Sequence, residues 1–440
     1  MKIQRHLPPT AAPVMLGDLL RASVGFIRGK SCLARFEQEL KQYFGVKHVF
    51  LFTSGKAALA TLIRALSSQS SRRKVVIPAY TCYTVPSAVI RGGGQVILCD
   101  VDPRTLDFVH EDLKRVVDRD TLCIVTPHLL GHAADVSRVK AIAEPFGVTV
   151  IEDAAQAMGG QQGGRFLGTM GDAGFFSLGR GKNLSAGSGG VLVTDSDTVA
   201  AAVEAACREI PDPPLMHRWL NVAIMAAMQL LITPRLYWLP AGLPFLKLGE
   251  THFDPDFPIQ KLDGMRAGLL TTWRRRLAQS NEERRARSRG YLATFSPDIR
   301  SLAPRGSDGT LYLRFPLLLP HPEQKAALCA IGQSRGLGIS GLYPRALSEI
   351  PELRSTVGSQ RFLGAETLAG RLVTLPVHRY VGERDLLAVQ QAIHEVLHPH
   401  PSSAVHREAA GGDDPSSAPM ARQQRQAVQI VAASPGQIAS

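Results

Sequence analysis

Lys182 stands inside the run Ser177-Leu-Gly-Arg-Gly-Lys182-Asn-Leu, where flanking glycines let the backbone carry an amine into a cleft. Upstream, the apolar run Val148-Thr-Val-Ile-Glu ends in Asp153. A carboxylate at the C-terminal end of a parallel strand faces the crevice in which open α/β sheets hold ligands. A third element, Thr53-Ser54-Gly55-Lys56, lies where an apolar strand turns into a helix. Free N–H groups and the helix dipole there suit a phosphate, and Lys56 adds a full charge. Ser177 offers a hydroxyl to the same anion. Each feature alone has a plainer reading: a solvated lysine, an aspartate capping the next helix, an ordinary Ser-Gly cap. A nucleotide-triphosphate loop is excluded, because Asn183 follows Lys182 and the glycine spacing is wrong.

In company, the amine, the strand-end carboxylate and the phosphate cradle meet the needs of pyridoxal 5'-phosphate. The carboxylate keeps the pyridine nitrogen protonated, so that the ring can accept electrons from a substrate carbon. The lysine holds the cofactor and, once displaced by an amino donor, serves as general base.

The elements that must place these groups are legible in outline. Helical signal over about 33–45 leads to the strand VFLF, then to the helix AALATLIRAL. Further short β-rich runs, VVIPAY, VILCDVD, LCIVTPH and VTVIEDAA, alternate with helical stretches, which predicts a mostly parallel sheet covered on both faces. A glycine-rich stretch closes on the strand VLVTD. Residues 205–257 are Pro-rich and apolar, an arginine-rich helix covers about 262–294, and strand and helix signals continue to about 398.

The runs Phe36-Glu-Gln-Glu-Leu-Lys-Gln-Tyr-Phe-Gly-Val-Lys-His48, Thr53-Ser-Gly-Lys-Ala-Ala-Leu59, Val76-Ile-Pro-Ala-Tyr-Thr81 and His128-Leu-Leu-Gly131 come in this order. Val150-Ile-Glu-Asp-Ala-Ala-Gln-Ala157, the block from Gly171-Asp172 to Gly190, and Leu375-Pro-Val-His378 follow. Over roughly residues 33–398 this series resembles the DegT/DnrJ/EryC1/StrS family of sugar aminotransferases. The resemblance implies an α/β fold, PLP-dependent transferase fold type I, with a mostly parallel seven-stranded-type sheet in a large domain and a smaller α+β C-terminal domain. It implies Lys182 as the catalytic lysine that carries the cofactor and Asp153 as partner of the pyridine nitrogen. Gln156 would lie near the ring hydroxyl, Cys82 at the position that stacks on the ring, and Ser54, Gly55, Lys56 and Ser177 around the phosphate. The donor would be glutamate or glutamine, the acceptor a nucleotide-linked keto sugar for surface polysaccharide or a glycosylated product, and the assembly a homodimer. A related branch that removes a hydroxyl carries His in place of the lysine; Lys182 favours transamination.

Three positions depart from the family pattern: Lys56 replaces the usual Thr, Cys82 an aromatic residue beside which Tyr83 could serve, and Ile259 an Asn that reaches the phosphate from the partner subunit. Lys56 is expected to supply the phosphate charge and hydrogen bonds that Ile259 cannot. The competing reading is a catalytically impaired, membrane-associated polysaccharide-assembly protein that keeps the fold.

The chain has 440 residues and a formal charge of +12, with 45% hydrophobic and 20% charged residues, which gives a large domain over 1–250, a small one over 251–398 and a disordered tail from 399. Six cysteines with no CxxC pair and no His at zinc-ligand spacing predict a reduced cytoplasmic chain without a metal site. No secretory signal is legible in the first thirty residues. Seven arginines against two glutamates over 273–289 read as the solvated face of a helix, with no nucleic-acid partner. The apolar segment 219–248, bracketed by Arg218 and Arg235, reads either as packed on the core or a partner subunit, or as a peripheral contact with the inner face of the membrane.

Overall fold

The computed structural model describes residues 5–12, 14–243, 251–306, 310–358 and 360–399. The disorder expected of the tail concerns residues that lie, from 400 onward, outside this range. Seven strands form the main sheet: β1 (His48–Phe52), β2 (Lys74–Pro78), β3 (Gln95–Cys99), β4 (Thr121–Pro127), β5 (Thr149–Asp153), β6 (Ala173–Ser177) and β7 (Gly190–Thr194). Their order is β1-β7-β6-β5-β4-β2-β3, and only β7 runs against the rest. Every residue of β4 is buried, as a central parallel strand covered on both faces requires.

Helices α1 (Leu16–Ile27), α2 (Gly29–Phe44), α3 (Gly55–Ser68), α4 (Thr84–Arg91), α5 (Val136–Ala143) and α6 (Asp197–Cys207) precede α7 (Leu215–Leu231), α8 (Gly264–Leu269) and the 22-residue α9 (Trp273–Thr294). A second, antiparallel sheet has the order β8-β10-β9, from β8 (Phe315–Leu318), β9 (Ser340–Gly341) and β10 (Leu372–Leu375). Helices α10 (Pro322–Ser334) and α11 (Leu363–Arg371) pack on it, and α12 (Glu383–Leu397) ends the described chain. The described residues up to Val396 pack as one unit.

Register brings distant residues to one edge of the main sheet. Phe52 at the end of β1 pairs with Gly190, Gly190 with Ser177, and Phe175 with Asp153. Because β7 is reversed, its first residue meets the last residues of its neighbours. The carbonyl of Ser54 approaches so closely that a Cβ at Gly190 would lie 2.2 Å from it, so only glycine fits there.

Two expectations change. Five of the seven arginines over 273–289 are not buried, but Arg276 and Arg284 are, so the α9 cluster is not all solvated. Within α7 only Met225 is buried, so this apolar helix is not enclosed in the core. No helix of the described residues is long and apolar enough to cross a membrane.

Candidate active site

A cavity of about 730 Å³ opens at the C-terminal edge of the main sheet. Ser54, Gly55, Lys56, Cys82, Asp153, Gln156, Ser177 and Lys182 all line it. The eight residues singled out from sequence are thus brought to one place from four segments of chain.

The phosphate-cradle candidates sit at the start of α3. Ser54 is its N-cap, and its Oγ accepts from the amide of Ala57 at 3.1 Å. A Cβ at Gly55 would come within 3.2 Å of the Ser177 Cβ, so the missing side chain keeps that corner open. Lys56 turns toward the segment before α8: its Nζ lies 4.2 Å above the Phe257 ring and 3.9 Å from Asp254 Oδ2. Burial lowers its pKa, while Asp254 acts in the opposite sense. Ile259 packs against the core.

Asp153 ends β5, and its Oδ1 accepts from the amide of Ala155 at 3.0 Å. No helix follows in residues 154–160, so the capping alternative falls. Burial raises its carboxyl, while Lys182 and His128 pull it down. Behind it, Glu152 is fully buried and accepts from His128 Nε2 at 2.7 Å and from the amides of Gly168 (2.8 Å), Gly171 (2.6 Å) and Met170. His128 Nδ1 accepts from the amide of Ala134, which leaves its proton on Nε2. Burial alone would raise the Glu152 carboxyl, yet His128 and the amides hold it below its ordinary value. This network pins the strand end that carries Asp153.

Gln156 Nε2 donates to the Tyr343 hydroxyl at 2.8 Å, and its Oε1 accepts from the amide of Leu130 at 3.0 Å. Cys82 Sγ lies 3.0 Å from Thr84 Oγ1. The Tyr83 hydroxyl is engaged by the Arg345 backbone, and its side chain lines a neighbouring cavity.

The loop carrying Lys182 is braced from two sides. Thr10 Oγ1 donates to the Gly181 carbonyl at 2.7 Å, and Arg284 Nη2 donates to the Lys182 carbonyl at 3.4 Å. Sequence reasoning missed both, and it missed Arg314, which lines the cavity just before β8. The Arg314 guanidinium is buried and bonds Ser340 Oγ, its Nε has no partner among the described residues, and burial pushes it down to about 10. The available signal was an arginine set inside the apolar run Leu311-Tyr-Leu-Arg-Phe-Pro-Leu317.

A lysine and a strand-end carboxylate in one cavity, beside a serine- and glycine-lined helix start on a sheet with one reversed strand, define the class of the fold: the large-domain architecture of fold type I. Residues 19–209 match the model of the DegT/DnrJ/EryC1/StrS aminotransferase family. Enzymes of the family depend on pyridoxal phosphate.

Among curated proteins, the chain is 29% identical over 184 residues to the GDP-perosamine synthase of Vibrio cholerae, covering 42% of this chain and 50% of the relative. It is 33% identical over 194 residues to the UDP-N-acetyl-3-dehydro-alpha-D-glucosamine 3-aminotransferase of Acidithiobacillus ferrooxidans, covering 44% and 52%. The chain spans about half the length of these curated relatives. A DegT DnrJ EryC1 StrS aminotransferase from Brucella abortus shares the fold with a TM-score of 0.67 at 23% identity, over 87% of this chain and 96% of that one. The E. coli GDP-4-keto-6-deoxy-D-mannose-3-dehydratase with bound hydrated PLP does so with a TM-score of 0.68 at 16% identity, over 88% and 100%.

Proposed function

We propose that this chain is a pyridoxal phosphate-dependent aminotransferase that moves an amino group from glutamate or glutamine to a nucleotide-linked keto sugar. The supporting observation is the convergence of Lys182, Asp153, Gln156 and the Ser54, Gly55 and Ser177 corner on one cavity. In this reading residues to about 250 form the cofactor-binding domain, 251–398 the small domain, and two copies a cytoplasmic homodimer.

The residues present fit the cofactor. The open corner at Gly55 and Ser177 suits its phosphate, with Lys56 as a nearby cation. Asp153, raised by burial, would hold the ring nitrogen's N–H, which would favour its charged form. When bound, the group supplies an electron sink for the substrate carbon that loses its proton. Lys182 would hold it covalently, and its Nζ, unprotonated once free, would take the proton from the donor's α-carbon and deliver one to the acceptor's carbonyl carbon. Gln156, locked by Tyr343 and the Leu130 amide, would lie on the ring hydroxyl side. Arg314, a buried cation with donor capacity to spare, binds the donor's carboxylate.

The test is spectroscopic. Full-length protein supplied with pyridoxal phosphate should be yellow, bleach on addition of L-glutamate or L-glutamine, and recover with a keto-sugar nucleotide. Lys182→Ala should abolish the colour change and turnover. Colour that survives this substitution, or fails to bleach with any amino donor, would favour the non-catalytic reading.

A further inference from the structure

We propose that the outer faces of α1 and α7 together dock this chain on an anionic lipid surface. Among the described residues, 18 large hydrophobic side chains are exposed, and 15 of them fall within 15–27 or 215–243. On α1, Leu16, Leu20, Val24 and Ile27 recur at helical spacing along one side, with Ile27 81% exposed. On α7, Leu215, Met216, Trp219, Leu220 and Ile224 do the same, with Met216 74% exposed.

The two faces form one surface. The Phe26 and Trp219 rings lie 5.5 Å apart, and behind them Ala22, Met225 and Leu269 share a small buried cluster. The support is rigid, because α1 crosses α8 so closely that a Cβ at Gly25 would lie 2.1 Å from the Gly264 carbonyl. An apolar face of this size, presented on a fixed platform, marks a docking site.

Charge selects the occupant. Segment 213–243 contains no Asp or Glu, and the single acid within 14–30, Asp18, is fully buried. The two segments also carry Arg21, Arg28, Lys30, Arg218 and Arg235, of which Arg28, Lys30 and Arg235 are exposed. Two copies meeting through this same face would set a basic rim against a basic rim with no acid to pair it. An anionic lipid surface complements the rim, and short amphipathic helices with an interfacial Trp insert their apolar face at that depth. With 12 and 17 residues, α1 and α7 lie on such a surface and do not cross it. The inner side of α7 contributes Met228 to the active-site cavity, so the docked surface lies one helix away from it.

The test is flotation of the full chain with phosphatidylglycerol vesicles and, separately, with phosphatidylcholine vesicles. Wild type should float with the first and weakly with the second, and added salt should weaken the binding. Leu20→Glu with Leu220→Glu should lower partitioning by about tenfold or more, and Arg28→Gln with Arg235→Gln by about tenfold on phosphatidylglycerol alone. Both variants should keep the wild-type melting curve. Failure of wild type to float, equal binding to both vesicle types, or unaltered flotation of the variants overturns the proposal. Variants that float normally but lose a dimer would assign this face to an interface between copies instead.

Discussion

Arg284, fully buried on α9, holds the main-chain carbonyl of Lys182 from behind the cavity, at 3.4 Å from Nη2. The same guanidinium donates to the carbonyls of Leu313 at 2.6 Å and Ala11 at 3.1 Å. One cation thus ties the lysine loop, the N-terminal segment and the approach to β8. Burial pushes it down to about 10, so the charge is retained at neutral pH on carbonyl dipoles. Arg284→Met leaves three carbonyls, two of them in buried contacts, without this donor and should destabilise the fold by about 3 kcal/mol or more. A urea titration reads this loss, and turnover should fall with it because Lys182 is no longer held in register.

Asp153→Asn separates charge from geometry. The asparagine Oδ1 can still accept from the amide of Ala155, so the melting temperature should stay close to that of wild type. Without a negative charge opposite the ring nitrogen, kcat should drop by about a hundredfold or more. A full loss of fold in this variant would instead make Asp153 a structural residue.

Seven of the eight cavity residues were legible because they sit beside a local signal, a strand end, a glycine pair or a helix start; Cys82 was named only through the family resemblance. Arg284 was not, since Arg284, Arg285, Arg287 and Arg289 look alike in composition. The structure shows the stripe that distinguishes it, Leu277, Asn281, Arg284, Ser288 and Tyr291, spaced alternately by four and three residues along one buried face. Tyr343 was out of reach for another reason: its hydroxyl meets Gln156 across a separation of 187 residues, and no local pattern encodes such a pairing. The exposed surface on α1 was missed because the first thirty residues were read only for a secretory signal, and the face is completed only by α7, which is distant in sequence.

Lys56 tests whether the departures from the family pattern are linked. Its Nζ rests over Phe257, two residues before Ile259, where the family carries the phosphate-reaching Asn. Lys56→Thr should weaken pyridoxal phosphate binding by about tenfold, measured by cofactor titration. Because burial lowers the lysine pKa, wild-type affinity should decline at a lower alkaline pH than an exposed lysine would give. The variant should lack that decline. Equal affinity and equal pH profiles in the two proteins would remove Lys56 from the cradle.

His378, in the run Leu375-Pro-Val-His378, sets an acid limit on stability. Its Nε2 donates to the Pro8 carbonyl at 2.8 Å and its Nδ1 accepts from the amide of Tyr380 at 3.3 Å, so both nitrogens are satisfied only in the neutral ring. Burial pushes its pKa down to about 3 from an ordinary 6.5, and burial lowers His132 to about 4. Between those values and 6.5 the unfolded chain binds protons that the folded chain refuses, so stability falls as pH drops through 6.5. At pH 5 each histidine should cost about 2 kcal/mol relative to neutral pH. His378→Gln keeps an amide donor for Pro8 but no longer titrates. It should therefore start less stable at neutral pH yet lose only about half as much as wild type on acidification to pH 5, read from urea midpoints at the two pH values. Parallel losses in wild type and variant would show that His378 already carries its proton in the fold.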